Sequence, residues 1–141
     1  MAVTVLSLIG FFVAAYLLLW KLGLFGELAC STGGCETVQT SEYSDFWGLP
    51  VALYGVAGFV SIFVVALVGL QPRWLERTEP TMLLIVISGV GVAFSGYLTY
   101  LEASVIHAWC QWCIASAMIV TSIFAISLIG WLTWSAVEVE E

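Results

Sequence analysis

The sequence predicts an all-α integral membrane protein, a bundle of four transmembrane helices with an extracytoplasmic, cysteine-bearing loop between the first and second. Three observations predict it. Hydrophobic residues are 62% of the 141 and charged residues 9%, far from the roughly half apolar and one quarter charged of soluble domains. Apolar runs cover residues 3–20, 49–70, 82–101 and 108–134, each near or above the roughly 18 to 20 residues that cross a hydrocarbon core. None is long enough to cross twice, and a helix satisfies its own backbone in lipid.

The first run has no basic segment ahead of it and exceeds the core of a signal peptide, so it reads as a retained span. The connection 21–46 is long and polar, and is the only one large enough to carry a site. It holds the segment CSTGGC, Cys30 to Cys35, whose Gly33 and Gly34 permit it to close a small ring or to swing. The third run places Ser88, Gly91 and Ser95 at helical spacing beside Gly89 and Gly96, a face on which another helix can approach closely. The connection 71–81 is short and carries Arg73 and Arg77 against Lys21 near the other face. The positive-inside rule then puts it and both termini in the cytoplasm and the cysteines outside, where disulfides persist. In the fourth run Trp109 and Trp112 mark one interface and Trp131 and Trp134 the other. Between Trp112 and Trp134 the helix would rise roughly 33 Å, a membrane's width. Residues 1–141 read as one membrane domain of a cell (inner or plasma) membrane.

The net charge of −7, with three basic side chains in the whole chain, leaves no basic patch for phosphate and excludes nucleic acid as a partner. The remaining signal is in the cysteines. Cys110-Gln111-Trp112-Cys113 opens the fourth run, and positions i and i+3 fall on one side of a helix, close enough to form a disulfide. A helix N-terminus stabilises the attacking thiolate. Along the axis the two differ by roughly 4.5 Å, which sets Cys110 near the aqueous boundary and Cys113 deeper, toward something lipid-soluble. The 21–46 loop falls at the same membrane face, so Cys30 and Cys35 form a mobile dithiol beside a fixed one. Such pairs exchange electrons through mixed disulfides without a cofactor between them. Two permanent structural disulfides in a non-enzymatic membrane scaffold, or a zinc site of four thiolates, are the other readings of the same four residues.

The spacing Cys30-x4-Cys35, then Ser41, the run Phe46-Trp47-Gly48-Leu49-Pro50, and Tyr97-Leu98-Thr99-Tyr100-Leu101-Glu102 leading into Cys110-Gln111-Trp112-Cys113 resemble the vitamin K epoxide reductase family, especially its prokaryotic homologues. The resemblance runs from about Cys30 to Met118. It implies a four-helix bundle that holds a quinone, of ubiquinone or menaquinone type, near the CxxC and needs no metal. It also implies that Cys30 and Cys35 shuttle electrons from a thioredoxin-fold extracytoplasmic oxidase to Cys110, and that Cys113 contacts the quinone. The implied function is dithiol:quinone oxidoreduction in support of disulfide formation in exported proteins. The alternative is a quinone or quinone-epoxide reductase whose main product is the reduced quinone. Ser41 resembles a loop serine or threonine tied to activity in the family, and is equally a turn-forming residue.

Two departures stand out. Many prokaryotic relatives carry a fused thioredoxin-like domain after the last span, whereas this chain ends Val-Glu-Val-Glu-Glu, so a separate redox partner is expected. Animal members have a tyrosine four residues after the second CxxC cysteine. Here Ala117 takes its place, and the resemblance does not carry over epoxide reduction or anticoagulant sensitivity. Among nearby residues, His107 either favours a thiolate or passes a proton to reduced quinone, or is an interfacial loop histidine with no such role. Glu102 is either a proton acceptor or an ordinary carboxylate at a helix end, and Tyr97 and Tyr100 either touch a quinone head group or pack.

Overall fold

Apolar side chains on every face suit a helix that meets protein on one side and lipid on the other, and each of the four runs folds as one long helix. In the computed structural model, which describes residues 1–31 and 33–140, these are α1 (Ala2–Lys21), α3 (Val51–Gly69), α4 (Glu79–Leu101) and α5 (Gln111–Glu140). Thr32 of the CSTGGC segment and Glu141 lie outside the described residues. All four helices are long and apolar enough to cross a membrane. Between α1 and α3 come a short helix α2 (Cys35–Gln39), a 3-10 turn (Glu42–Ser44) and a two-stranded hairpin, β1 (Asp45–Phe46) and β2 (Leu49–Pro50), antiparallel with Phe46 opposite Leu49.

Two boundaries differ most from the sequence reading. The connection expected at 102–107 is mostly helical, because α4 continues into a π turn over Glu102–Ile106 that ends at His107 in a left-handed conformation (φ 54°). A π turn admits one extra residue per turn and is frequent at functional sites. The last helix runs on past the expected end at 134 to Glu140, since Ala, Val and Glu continue a helix without a breaker. At the other end of α4, Pro80 sits in the first turn, where its missing N–H removes no helix bond.

The helices close a ring in which α1 packs against α3 and α5, and α4 against α3 and α5. Gly91 on α4 makes one of these contacts possible, because a Cβ there would stand 2.8 Å from Val120 Cγ2 on α5. The packing role read from that glycine face is thus met at Gly91. On the opposite side of the ring Gly10 of α1 faces the buried Phe59 ring of α3 so closely that a Cβ would overlap it. Two apolar clusters result. One, around Ala14, Phe59, Ile62, Val120 and Ile123, fills the middle of the bundle. The other, around Leu17, Leu28, Cys35, Val38, Ala52 and Cys110, joins the loop to one end of the helices.

Gly10→Val is expected to cost about 1–3 kcal/mol by overpacking, read as a lowered unfolding temperature in detergent. Gly130→Ala, with nothing within 4 Å of its Cβ position, should be neutral or stabilising by up to about 1 kcal/mol. Equal losses for both would contradict the close α1–α3 contact.

Candidate functional site

The CxxC begins one residue ahead of α5. Cys110 occupies the N-cap position, its carbonyl accepting the Ile114 N–H at 3.1 Å, and Cys113 lies in the first turn. Cys110 and Cys113 are thiols, Cys110 fully buried and Cys113 half-buried. The Cys113 side chain, hydrogen-bonded to Cys110, brings the Cys110 thiol down to about 7; the backbone N–H groups of Cys113 and Trp112 act in the same direction, against burial and the Glu102 carboxylate. Helix N-termini lower thiol pKa values in this way. The Cys110 N–H, which has no helix partner of its own, donates to Glu102 Oε2 at 3.2 Å.

Cys30 and Cys35 are joined as a disulfide, and the loop that carries them is docked on the CxxC turn. Gln111 meets the loop backbone twice, Oε1 accepting the Ser31 N–H at 3.0 Å and Nε2 donating to the Ala29 carbonyl at 3.3 Å. Trp112 Nε1 donates to the same carbonyl at 2.6 Å, and the Ala29 N–H donates to the Tyr16 hydroxyl at 3.1 Å. The Tyr16 and Trp112 rings pack with centroids 5.1 Å apart. Gly34 lies flat on the Trp109 backbone, where a Cβ would come within 2.6 Å of the Trp109 carbonyl oxygen; only glycine fits there. The sequence reading valued Gly33 and Gly34 for mobility. Gly33 does use a positive φ of 74°, but Gly34 serves close approach.

Docking covers Cys110. The sequence reading set it near the aqueous boundary, yet the loop, in particular Leu28, Cys35 and Val38, encloses it in one buried cluster. Cys30 and Cys113 pack against the same cluster half-buried, so all four cysteines share it. With Cys30 and Cys35 joined as a disulfide, Cys110 and Cys113 are the two of the four that stand as thiols. Among the described residues no three His, Cys, Asp or Glu side chains converge as a metal site.

Cys113 opens onto a cavity of about 140 Å³ between α1, α3, α4 and α5. A dry cavity of roughly this size admits one six-membered ring. The walls are mainly apolar, including Leu17, Phe59, Phe94 and Leu98, with polar groups gathered where Cys113, Gln39 and Glu102 meet. Gln39 Nε2 donates to Cys113 Sγ at 3.4 Å. Few, convergent polar groups in an apolar pocket are the usual form of a small-molecule site, and they suit a flat ring bearing carbonyl oxygens. Gln39 is itself held by Lys21, whose Nζ donates to the Gln39 carbonyl at 2.6 Å and to Ser44 Oγ at 2.7 Å, and lies 3.6 Å from the Asp45 carboxylate.

Other residues singled out from sequence fall differently. Ser41 Oγ donates to the Val38 carbonyl at 2.7 Å, the turn bond that its residue type favours. His107 is exposed, at the turn three residues before Cys110. Tyr97 and Tyr100 face outward, 53% and 64% exposed; the tyrosine in the cavity wall is Tyr54, which donates to the Phe46 carbonyl at 3.0 Å. One turn beyond Cys113 the wall is Ser116, with Val120 after it, not Ala117. Glu102, left open between two roles, is 3% exposed at the centre of the site. Gln39, Lys21 and Gln111 were not singled out as site residues, since each acts across 18 or more residues of chain.

A four-span bundle that sets a disulfide and a dithiol in one buried cluster beside an apolar cavity defines an integral membrane protein equipped for thiol redox chemistry. The family model described as Vitamin K epoxide reductase family matches residues 1–128, and the chain belongs to that family. Membership makes it a multi-pass membrane oxidoreductase with redox cysteines and a quinone as substrate or cofactor.

In the reduced protein, alkylation of Cys110 followed by peptide mass mapping is expected to titrate with a midpoint near pH 7, falling about tenfold per unit at lower pH. The sign follows from a lowered folded value. Thiolate stabilisation of the reduced protein is fully present above the ordinary value of about 8.5 and is lost as pH falls through the folded one. Cys113→Ala removes the largest cause, so its midpoint should move up toward 8.5. A wild-type midpoint already near 8.5 would contradict the site geometry.

Proposed function

We propose that this chain is a membrane dithiol:quinone oxidoreductase that oxidises a thioredoxin-fold partner and passes its electrons to quinone, supporting disulfide formation in exported proteins. The observation that carries the reading is the shared cluster: loop disulfide, Cys110 and Cys113 lie in one buried apolar set, and Cys113 alone of the four cysteines lines the cavity.

The chemistry runs in three exchanges. A partner thiolate attacks the Cys30–Cys35 disulfide at Cys30, the half-buried member; a second partner thiol resolves the mixed disulfide, leaving the partner oxidised and the loop a dithiol. Cys35, fully buried in the cluster with Cys110, then attacks Cys110 of an oxidised CxxC and Cys113 leaves as thiolate. Cys30 resolves that mixed disulfide and restores the loop bond, with Cys110 and Cys113 both reduced. In the last exchange the two CxxC sulfurs join and their two electrons and two protons pass to quinone as substrate. Cys113 supplies the sulfur facing the ring, Gln39 orients it by hydrogen bonding, and the apolar wall excludes water. The loop and CxxC end of the bundle faces outward in this reading, and the connection with Arg73 and Arg77 faces the cytoplasm.

Anaerobic mixing of dithiol-reduced protein with a short-chain quinone tests the reading. Wild type should form two quinols per chain, one from each dithiol, and Cys113→Ala none. The Cys30→Ala/Cys35→Ala variant should form one, from the CxxC, yet lose catalytic oxidation of a thioredoxin-fold donor. Quinol formation at the wild-type rate without Cys113 would refute the assignment.

A further inference from the structure

Two thiol protons must reach two quinone oxygens through an apolar cavity. Resting on the function proposed above, we infer that Glu102 is the catalytic carboxyl that carries them, taking the Cys113 proton and delivering it to the quinone oxygen nearest Cys113. Three independent placements support this. The Glu102 carboxyl accepts the Cys110 N–H, which fixes it against the start of the CxxC turn. It lines the cavity beside Cys113. It is 3% exposed, and the ion pairs among the described residues are Lys21–Asp45 and Arg77–Glu79, neither of which engages it.

An ionisable group within a membrane span is costly and points to function. If the site needed only an acceptor for the Cys110 N–H, a glutamine would supply one without a buried charge. What an amide lacks is the ability to hold and release a proton. Its position on the first residue of the π turn brings the carboxyl between the end of α4 and the start of α5, where the proton has to cross from sulfur to ring.

The step balances. Two S–H bonds break, one S–S bond forms between Cys110 and Cys113, and two O–H bonds form on the quinone; the sulfurs lose two electrons and the quinone gains them. Glu102 receives one proton from Cys113 and passes it on. As carboxylate again, it carries the second, from Cys110, by the same route.

Glu102→Gln keeps an oxygen for the Cys110 N–H and tests the role. Single-turnover quinol formation by the pre-reduced variant should slow by about 10²- to 10⁴-fold, the usual contribution of a positioned acid or base. Its unfolding temperature and its rate of CxxC reduction by a small dithiol should stay near wild type. A second readout is transient. Infrared spectra recorded while pre-reduced protein reacts with quinone should show a short-lived, deuterium-sensitive carboxylic-acid carbonyl band, absent in the variant, because Glu102 holds a proton only between taking it from sulfur and delivering it to the ring. A variant that forms quinol within about threefold of wild type overturns the role. So does a wild-type spectrum without the band, or a variant whose dithiol reduction and thermal stability fall along with quinol formation, which marks a purely structural carboxylate. Wild type that forms no quinol would instead sink the proposed function, and the proton route with it.

Discussion

The turn between α4 and α5 has to leave the helix without leaving backbone groups unsatisfied, and the rest of the site follows from how it does so. A main-chain N–H with no partner is expensive anywhere in a protein interior and more so near lipid. Here the π turn and the left-handed His107 end α4, the Ala108 N–H returns to the Glu102 carbonyl at 3.3 Å, and the Cys110 N–H goes to the Glu102 side chain. One residue therefore closes the turn from both its main chain and its side chain. With the turn satisfied, Cys110 can sit at a helix N-terminus, where its thiolate is favoured, while remaining fully buried.

The loop completes the enclosure from above. Gln111 and Trp112, the two residues between the cysteines, are the ones whose side chains grip the loop backbone at Ala29 and Ser31, so the CxxC spacer also serves as the dock. Below, α2 carries Cys35 at its first residue and Gln39 at its last, one helical turn apart. A single short helix thus connects the disulfide with the hydrogen bond on Cys113, and Lys21 at the end of α1 fixes its far end. The disulfide side and the cavity side of the site are held by the same few contacts.

Much of this was legible in the sequence, and the reason for the remainder is physical. Apolar run length announces the spans because a bilayer imposes one thickness on every helix. The i, i+3 spacing of Cys110 and Cys113, and the close spacing of Cys30 and Cys35, announce two pairs because those relations are local. Glu102 was legible as a helix-end carboxylate with a proton acceptor's role open to it, but not as a buried one, since its burial depends on the π turn, which has no sequence signature here. Lys21 to Gln39, Gln39 to Cys113 and Gln111 to Ser31 are separated by 18, 74 and 80 residues, and nothing in one sequence indicates such partners. Tyr97 and Tyr100 drew attention by belonging to a motif, but their side of α4 faces outward while Tyr54 on α3 reaches the cavity wall.

The central claim is that electrons cross from loop to bundle through Cys35 and Cys110. The Cys30→Ser/Cys113→Ala variant leaves only those two cysteines, and mild oxidation followed by intact-mass measurement after alkylation reads their bond directly. The account predicts an intramolecular disulfide in nearly every molecule, with neither thiol alkylated until a reductant is added. Two freely alkylated thiols, or disulfides formed only between molecules, would contradict it.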